Sequence, residues 1–210
     1  MNETTNTALP ISLSEANDAA HTLYLAFKND PMMQWLFVSG DNYAKNAQAT
    51  FATWVRYSIR YGYAFRTTNF ESIALRKKPS DTTFSFWRAF RSGMLATRSL
   101  MGKEGFNRLM LLDKTLHQAA KNNMVKSPYL YCWVLGTLPD KQGQGHGGRL
   151  MKQTFALANK LNVPCYLETA TDLNIQVHGH QGYEVLNTHQ MPGANFQMIC
   201  MLRKNQTDSP

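Results

Sequence analysis

Residues 139–151 read PDKQGQGHGGRLM, four glycines in thirteen positions. Just before them stands YLYCWVLGT, 129–137, a nearly continuous aromatic and apolar run of the kind expected for a strand covered on both faces. Just after them Leu150, Met151, Phe155, Leu157, Ala158 and Leu161 recur at helical spacing. Asn162 and Pro164 stop that helix, and CYLET, 165–169, begins another strand. Strand, glycine turn, helix and strand in this order form a βαβ-like unit.

The flanking segments add to the sheet and cover it. Ser12 followed by Glu15 is a capping-box pattern, and Leu13, Ala16, Ala20, Leu23, Tyr24 and Phe27 then follow at helical spacing. The helix should stop before Asn29-Asp30-Pro31, because proline disfavours the α conformation at the residue before it. A second helix is expected over about 43–60, with Ala47, Phe51, Trp54, Val55 and Ile59 inward. GYAFRTT and ESIALRK read as two strands. Residues 80–125 read as helical and irregular. Phe84, Trp87 and Phe90 form one apolar set there, and Phe106, Leu109, Met110, Leu112, Leu116 and Ala120 another. A short helix over 174–180 and the strands YEVL and FQMICMLR complete a mixed α/β sandwich on one central sheet.

Glycines at the head of a helix have a chemical use. The first N–H groups of a helix are unpaired and carry a partial positive charge, and residues without Cβ let a ligand approach them. This makes an anion site suited to phosphate or pyrophosphate. Two common nucleotide motifs are not met. Gly143, Gly145 and Gly148 have dinucleotide-fingerprint spacing, but the gap from the strand is too long and no acidic residue closes a second strand at the expected distance. A phosphate loop needs Gly-Lys-Ser/Thr, whereas Gly148 precedes Arg149-Leu150.

The pattern Gln/Arg-x-x-Gly-x-Gly/Ala is met, by Gln142, Gly145 and Gly147. Here the chain resembles the GCN5-related N-acetyltransferase family, and it does so most specifically over 129–203. The segment LNVPCYLETATDLNIQVHGHQGYEVL is similar to that family's next strand, asparagine-bearing helix and Gly-aromatic ending. Upstream, AFKNDPMMQWLF is similar to the start of members resembling puromycin N-acetyltransferase.

The resemblance implies one α/β domain over 1–210, with a central mixed, mostly antiparallel twisted sheet flanked by helices on both faces. Residues 1–8 and 205–210 are expected to be flexible. It implies acetyl-CoA as co-substrate and no metal. The pantetheine arm would pair with the backbone of Leu135, Gly136 and Thr137. The pyrophosphate would face the turn formed by Gln142, Gly143, Gln144, Gly145, His146, Gly147 and Gly148, with Arg149 or Lys152 nearby. Asn174 matches a cofactor-contacting position; a helix-capping role is its other reading. Asp30 and Trp35 would border the acceptor amine, because the first helix–loop–helix lines that cleft in the family.

The chemistry needs a base to free the amine of its proton. Glu168, near the end of a central strand, is the candidate, and a paired or solvated strand-end carboxylate is the alternative; Glu71 is a second carboxylate on an expected strand and is placed with Asp30 and Trp35 on the acceptor side. Family members commonly carry a tyrosine acid four residues after the Asn174 position, where this chain has His178. Three readings stay open there. His178 is the acid, or it only contacts the sulfur, or the protein is a CoA-binding regulatory or interaction protein with little turnover. His178-Gly179-His180 alone is too few ligands for zinc.

Net charge +8 favours anionic partners, but the basic residues are dispersed, the densest runs being Arg76–Lys78 and Arg203–Lys204, so no nucleic-acid partner is expected. No apolar stretch reaches membrane-spanning length, and the polar start MNETTNTALPISLSE lacks a basic cluster. Cys132, Cys165 and Cys200 are odd in number and far apart, which argues for buried thiols in a reducing compartment. A cytoplasmic enzyme acting on a small-molecule amine or an exposed amino group is therefore expected. Homodimer formation is open, through NFQMICMLR if that strand lies at a sheet edge.

Overall fold

The structure, a computed structural model, describes residues 8–37, 42–82, 85–124 and 127–205. Its elements run β1 (Leu9–Pro10), α1 (Ala16–Phe27), α2 (Pro31–Phe37), α3 (Tyr43–Tyr61), β2 (Gly62–Arg66), β3 (Ser72–Lys77), α4 (Phe86–Ser92) and α5 (Met94–Asn123). After these come β4 (Leu130–Thr137), a 3-10 turn at Pro139–Lys141, α6 (His146–Leu161), β5 (Cys165–Thr169), α7 (Asp172–Gly179), β6 (Glu184–Gln190) and β7 (Gln197–Arg203).

Local chemistry sets the first boundaries. The Ser12 N–H and hydroxyl both donate to the Glu15 carboxylate at 2.8 Å, which is the glutamate half of a capping box. Helix α1 stops at Phe27 ahead of Pro31. Asp30 then caps α2, its Oδ1 accepting from the N–H groups of Met32 at 2.9 Å and Met33 at 3.1 Å.

The seven strands lie in the order β1-β2-β3-β4-β5-β7-β6. All neighbours are antiparallel except β4 and β5. That parallel pair is short: Leu130 faces Cys165 and Tyr131 faces Tyr166, and beyond these the strands part. On its other side β4 is bulged, since the register passes from Leu75 opposite Val134 to Arg76 opposite Cys132, leaving Trp133 as the extra residue. A bulge bends its strand and strengthens the local twist. Strand β7 is internal, between β5 and β6, so of its two possible placements the inner one holds.

Helices cover both faces. Leu23, Leu36, Phe51, Val55, Leu109 and Leu112 pack with Ile73, Leu75 and Val134 on one side. Met151 and Ala158 of α6 pack with Leu130, Cys165, Leu167, Ile199 and Met201 on the other. Gly136 permits the close seating of α1 on β4. A Cβ there would stand 2.9 Å from both Leu23 Cδ2 and Phe27 Cε2 and 3.0 Å from Ala26 Cβ. Gly136→Ala should therefore cost about 1–3 kcal/mol of stability by overpacking, measured by urea unfolding; an unchanged midpoint would show that α1 yields freely.

Some expectations need correcting. Trp87 and Phe90 are not inward: they are 67% and 49% exposed and stack on each other with ring centroids 5.7 Å apart. Phe84, their third member, lies outside the described residues, as do 1–7 and 206–210 of the expected flexible ends. Asn205 is buried and donates to Asn162 Oδ1 at 2.8 Å. No helix among the described residues is long and apolar enough to cross a membrane.

Candidate active site

The glycine turn joins β4 to α6 as expected. Gly145 is the N-cap of α6 with φ 81°, and Gly143 has φ 73°, both in the left-handed region that favours glycine. Among the described residues, none of the N–H groups from Gly143 to Gly148 makes a hydrogen bond, and the first intrahelical bond is Arg149 N–H to the Gly145 carbonyl at 3.1 Å. Cβ atoms at Gly143, Gly145 and Gly148 would meet nothing within 4 Å. The turn thus presents a row of free donors into open space, which fits a pyrophosphate.

The rest of the turn is braced from within. The Gln142 amide donates to the Thr137 carbonyl at 3.3 Å and the Gln144 amide to that of Asp140 at 2.9 Å. His146 is buried, its Nδ1 2.8 Å from Arg149 Nη2 and 3.9 Å from Glu71 Oε2. Glu71 accordingly sits beneath the turn. Burial would raise its pKa, but hydrogen bonds from Thr67 and from the Asn69 backbone and amide outweigh it and hold the carboxyl at about 2. A carboxylate so acidic is a poor base, and its geometry is that of a support for His146.

Where β4 and β5 part, a cavity of about 1040 Å³ opens, its mouth included. The free edge of β4 supplies Cys132 to Leu135, α7 supplies Asn174 and His178, and α1, α2, α3 and α5 close the far wall. Glu168, Asp30 and Asp113 bring carboxylates to it. Of the three residues expected on the acceptor side, Asp30 is in the lining, with one oxygen committed to capping α2, whereas Glu71 lies beneath the glycine turn beside His146. Trp35 packs elsewhere, its indole N–H donating to the Gly193 carbonyl at 3.0 Å.

Glu168 has the chemistry of a base. One of its carboxylate oxygens is buried with no hydrogen-bond partner among the described residues. Burial raises its pKa to about 7, against the pull of the Tyr131 and Tyr166 hydroxyls and the Lys77 ammonium. Lys77 is buried over the Trp133 ring at 4.4 Å; burial lowers it to about 8, while Asp113 and Glu168 raise it. Asp113 in turn is raised by burial and lowered by Lys77 and His117. Sequence reasoning missed Lys77, Asp113, Tyr131 and Trp133. Strand alternation was the available signal, since it forces one of Arg76 and Lys77 inward on each face of β3.

Asn174 and His178 both reach the cavity. The capping role falls to Thr171, whose Oγ1 accepts from the Asn174 N–H at 3.3 Å. Burial lowers the His178 pKa, its Nδ1 lies 3.3 Å from Gln181 Oε1, and its ring stands edge-on to Tyr183. His180 Nδ1 is 2.7 Å from the Gln176 carbonyl. Among the described residues no group of three or more His, Cys, Asp or Glu is placed to hold a metal ion.

Comparison with known proteins agrees with this geometry. No family model matches the chain. It is 23% identical over 205 residues to an uncharacterized N-acetyltransferase of Schizosaccharomyces pombe, an alignment covering 93% of this chain and 83% of that protein. Among solved structures, a Corynebacterium glutamicum protein described as histone acetyltransferase HPA2 and related acetyltransferase superimposes with a TM-score of 0.70 at 19% identity, over 97% of both chains. A Drosophila melanogaster polyamine N-acetyltransferase gives 0.58 at 12% identity, over 93% of this chain and 97% of that one. The chain has the fold of the GCN5-related N-acetyltransferases and resembles an N-acetyltransferase along most of its length. These likenesses do not single out a puromycin-like branch.

Proposed function

We infer that the protein transfers an acetyl group from acetyl-CoA directly to a primary amine. The observation that carries this reading is the row of free N–H groups at Gly143–Gly148, set beside a strand edge that opens onto a buried carboxylate. The turn would hold the pyrophosphate, and the edge of β4 at Leu135–Thr137 the pantetheine arm. Acetyl-CoA would supply a thioester carbonyl for a neutral amine to attack; the new C–N bond replaces the C–S bond, and CoA leaves as a thiolate that takes up the second proton lost by the amine. Glu168 takes the ammonium proton, for which a pKa of about 7 is well matched to neutral pH. A backbone N–H on β4 steadies the oxygen on which charge develops. His178 lies on the wall beside Asn174, where burial favours its neutral form and suits it to act as an uncharged hydrogen-bonding group. The Drosophila neighbour is named for forming N-acetylagmatine, a small acetylated amine, which supports an amine acceptor here.

Calorimetric titration tests the reading. Acetyl-CoA and desulfo-CoA should both bind at micromolar affinity or tighter, with ATP much weaker. No binding of either CoA compound would remove the reading. Binding without thiol release on any amine would leave a CoA-binding protein without turnover.

A further inference from the structure

We propose that α4 and the first turns of α5 form a surface that docks on a bilayer of anionic phospholipid. Helix α4 has its large and small residues the wrong way round for a core helix. Ala89 and Ser92 are buried, while Phe86, Trp87 and Phe90 are each about half exposed or more. At about 100° per residue, positions 86, 90, 87 and 91 fall on one continuous arc of the helix, away from 89 and 92. Leu95, just past the Gly93 corner where α5 begins, is 60% exposed as well. Single exposed apolar residues are ordinary, but three aromatic rings on one short helix form a patch of the kind that marks an interaction site.

The charge around these rings selects the partner. From Thr82 to Lys103 the chain carries four basic residues and no acidic one. Arg88 is paired with Asp81. Among the described residues the exposed Arg91 and Arg98 form no ion pair, and neither does Arg60 of α3, whose Nη1 donates to the Arg91 carbonyl at 2.9 Å. Aromatic rings rimmed by unpaired guanidinium groups match the headgroup layer of an anionic membrane: the rings enter the boundary with the acyl chains, and the cations stay at the phosphates. A second copy of the chain fits poorly, because it would set these same cations against each other. Nucleic acid needs open ring faces, and Trp87 and Phe90 stack on each other within 8° of parallel, which takes the faces between them.

Co-sedimentation of the whole protein with vesicles is the test, run without CoA so that its outcome is independent of acetyl transfer. Vesicles of equal parts phosphatidylserine and phosphatidylcholine should bind at least about tenfold more tightly than phosphatidylcholine alone, and salt at about 0.5 M should remove most of that preference. Tryptophan emission should shift to the blue on binding, as Trp87 leaves water. Trp87→Ser combined with Phe90→Ser should weaken binding at least about tenfold, and so should Arg91→Glu combined with Arg98→Glu. Leu13→Ser, at an exposed apolar residue ahead of α1, should leave it unchanged. Far-UV circular dichroism checks that each variant is folded. Equal binding to the two kinds of vesicle overturns the proposal, as does undiminished binding by folded variants of either pair. Binding of random single-stranded DNA with no binding of vesicles also overturns it, and so does a dimer that the Trp87 and Phe90 changes disperse with no binding of vesicles.

Discussion

Glu168→Gln should lower kcat by about 10² to 10⁴-fold while leaving acetyl-CoA affinity unchanged, because the amide keeps the shape of the side chain and cannot accept the proton. The pH profile identifies the group. A base works when ionised, so kcat/KM of the unaltered protein should rise with pH and level off above about 7, where Glu168 titrates. His178→Phe should keep that limb, since burial moves the imidazole below its ordinary 6.5. A limb lost in the histidine variant and kept in the glutamine variant would assign the proton to His178. The same burial has a cost in stability. A carboxyl raised from 4.5 to about 7 on folding favours the folded state below its unfolded pKa and loses that advantage as pH climbs through 7. Glu168→Gln should therefore be more stable than the parent above pH 7, by roughly 1–3 kcal/mol in urea unfolding.

Gly145→Glu should weaken acetyl-CoA binding at least about a hundredfold. Its Cβ would project into open space at the head of α6, bringing a carboxylate to the donors that would face the pyrophosphate. The backbone contributes separately, since φ 81° at Gly145 costs an ordinary residue about 1–2 kcal/mol. Gly145→Ala carries the backbone cost without the charge and should lose only a few-fold in affinity. Calorimetry with both variants, alongside far-UV circular dichroism, separates the two effects. Equal affinity in parent and glutamate variant would move the phosphate site elsewhere.

Much of the fold was legible because periodicity reports burial. Helix α3 covers 43–61 where 43–60 was expected, and the strand, glycine turn and helix from 130 to 161 fall where apolar spacing placed them. Other features were hidden for physical reasons. Arg76 and Lys77 belong to one of the densest basic runs of the chain, yet both are buried: Arg76 donates to the Leu150 carbonyl of α6 at 2.6 Å, and Lys77 lies over Trp133. Long aliphatic stems make such burial invisible to a charge count. Asp113 sits within a helix whose apolar stripe drew attention away from it. Trp87 and Phe90 show the opposite failure: aromatic residues at helical spacing imply a core, and only three-dimensional packing shows them facing outward. The bulge at Trp133 and the early parting of β4 from β5 come from register, which a single strand's pattern does not encode.

That parting has a mechanical meaning. Among the described residues the sheet's ladder divides into two leaves, β1 to β4 and the set β5, β7 and β6, joined at a hinge of two residue pairs, Leu130 with Cys165 and Tyr131 with Tyr166. Each leaf is locked by its own antiparallel ladder, so thermal opening concentrates at the hinge and amide protons there should exchange before those of either leaf. A molecule lying along the vacant edge of β4 would act as a splint across the gap. Its binding energy would then appear as rigidity at one seam of the protein, with the leaves themselves scarcely affected.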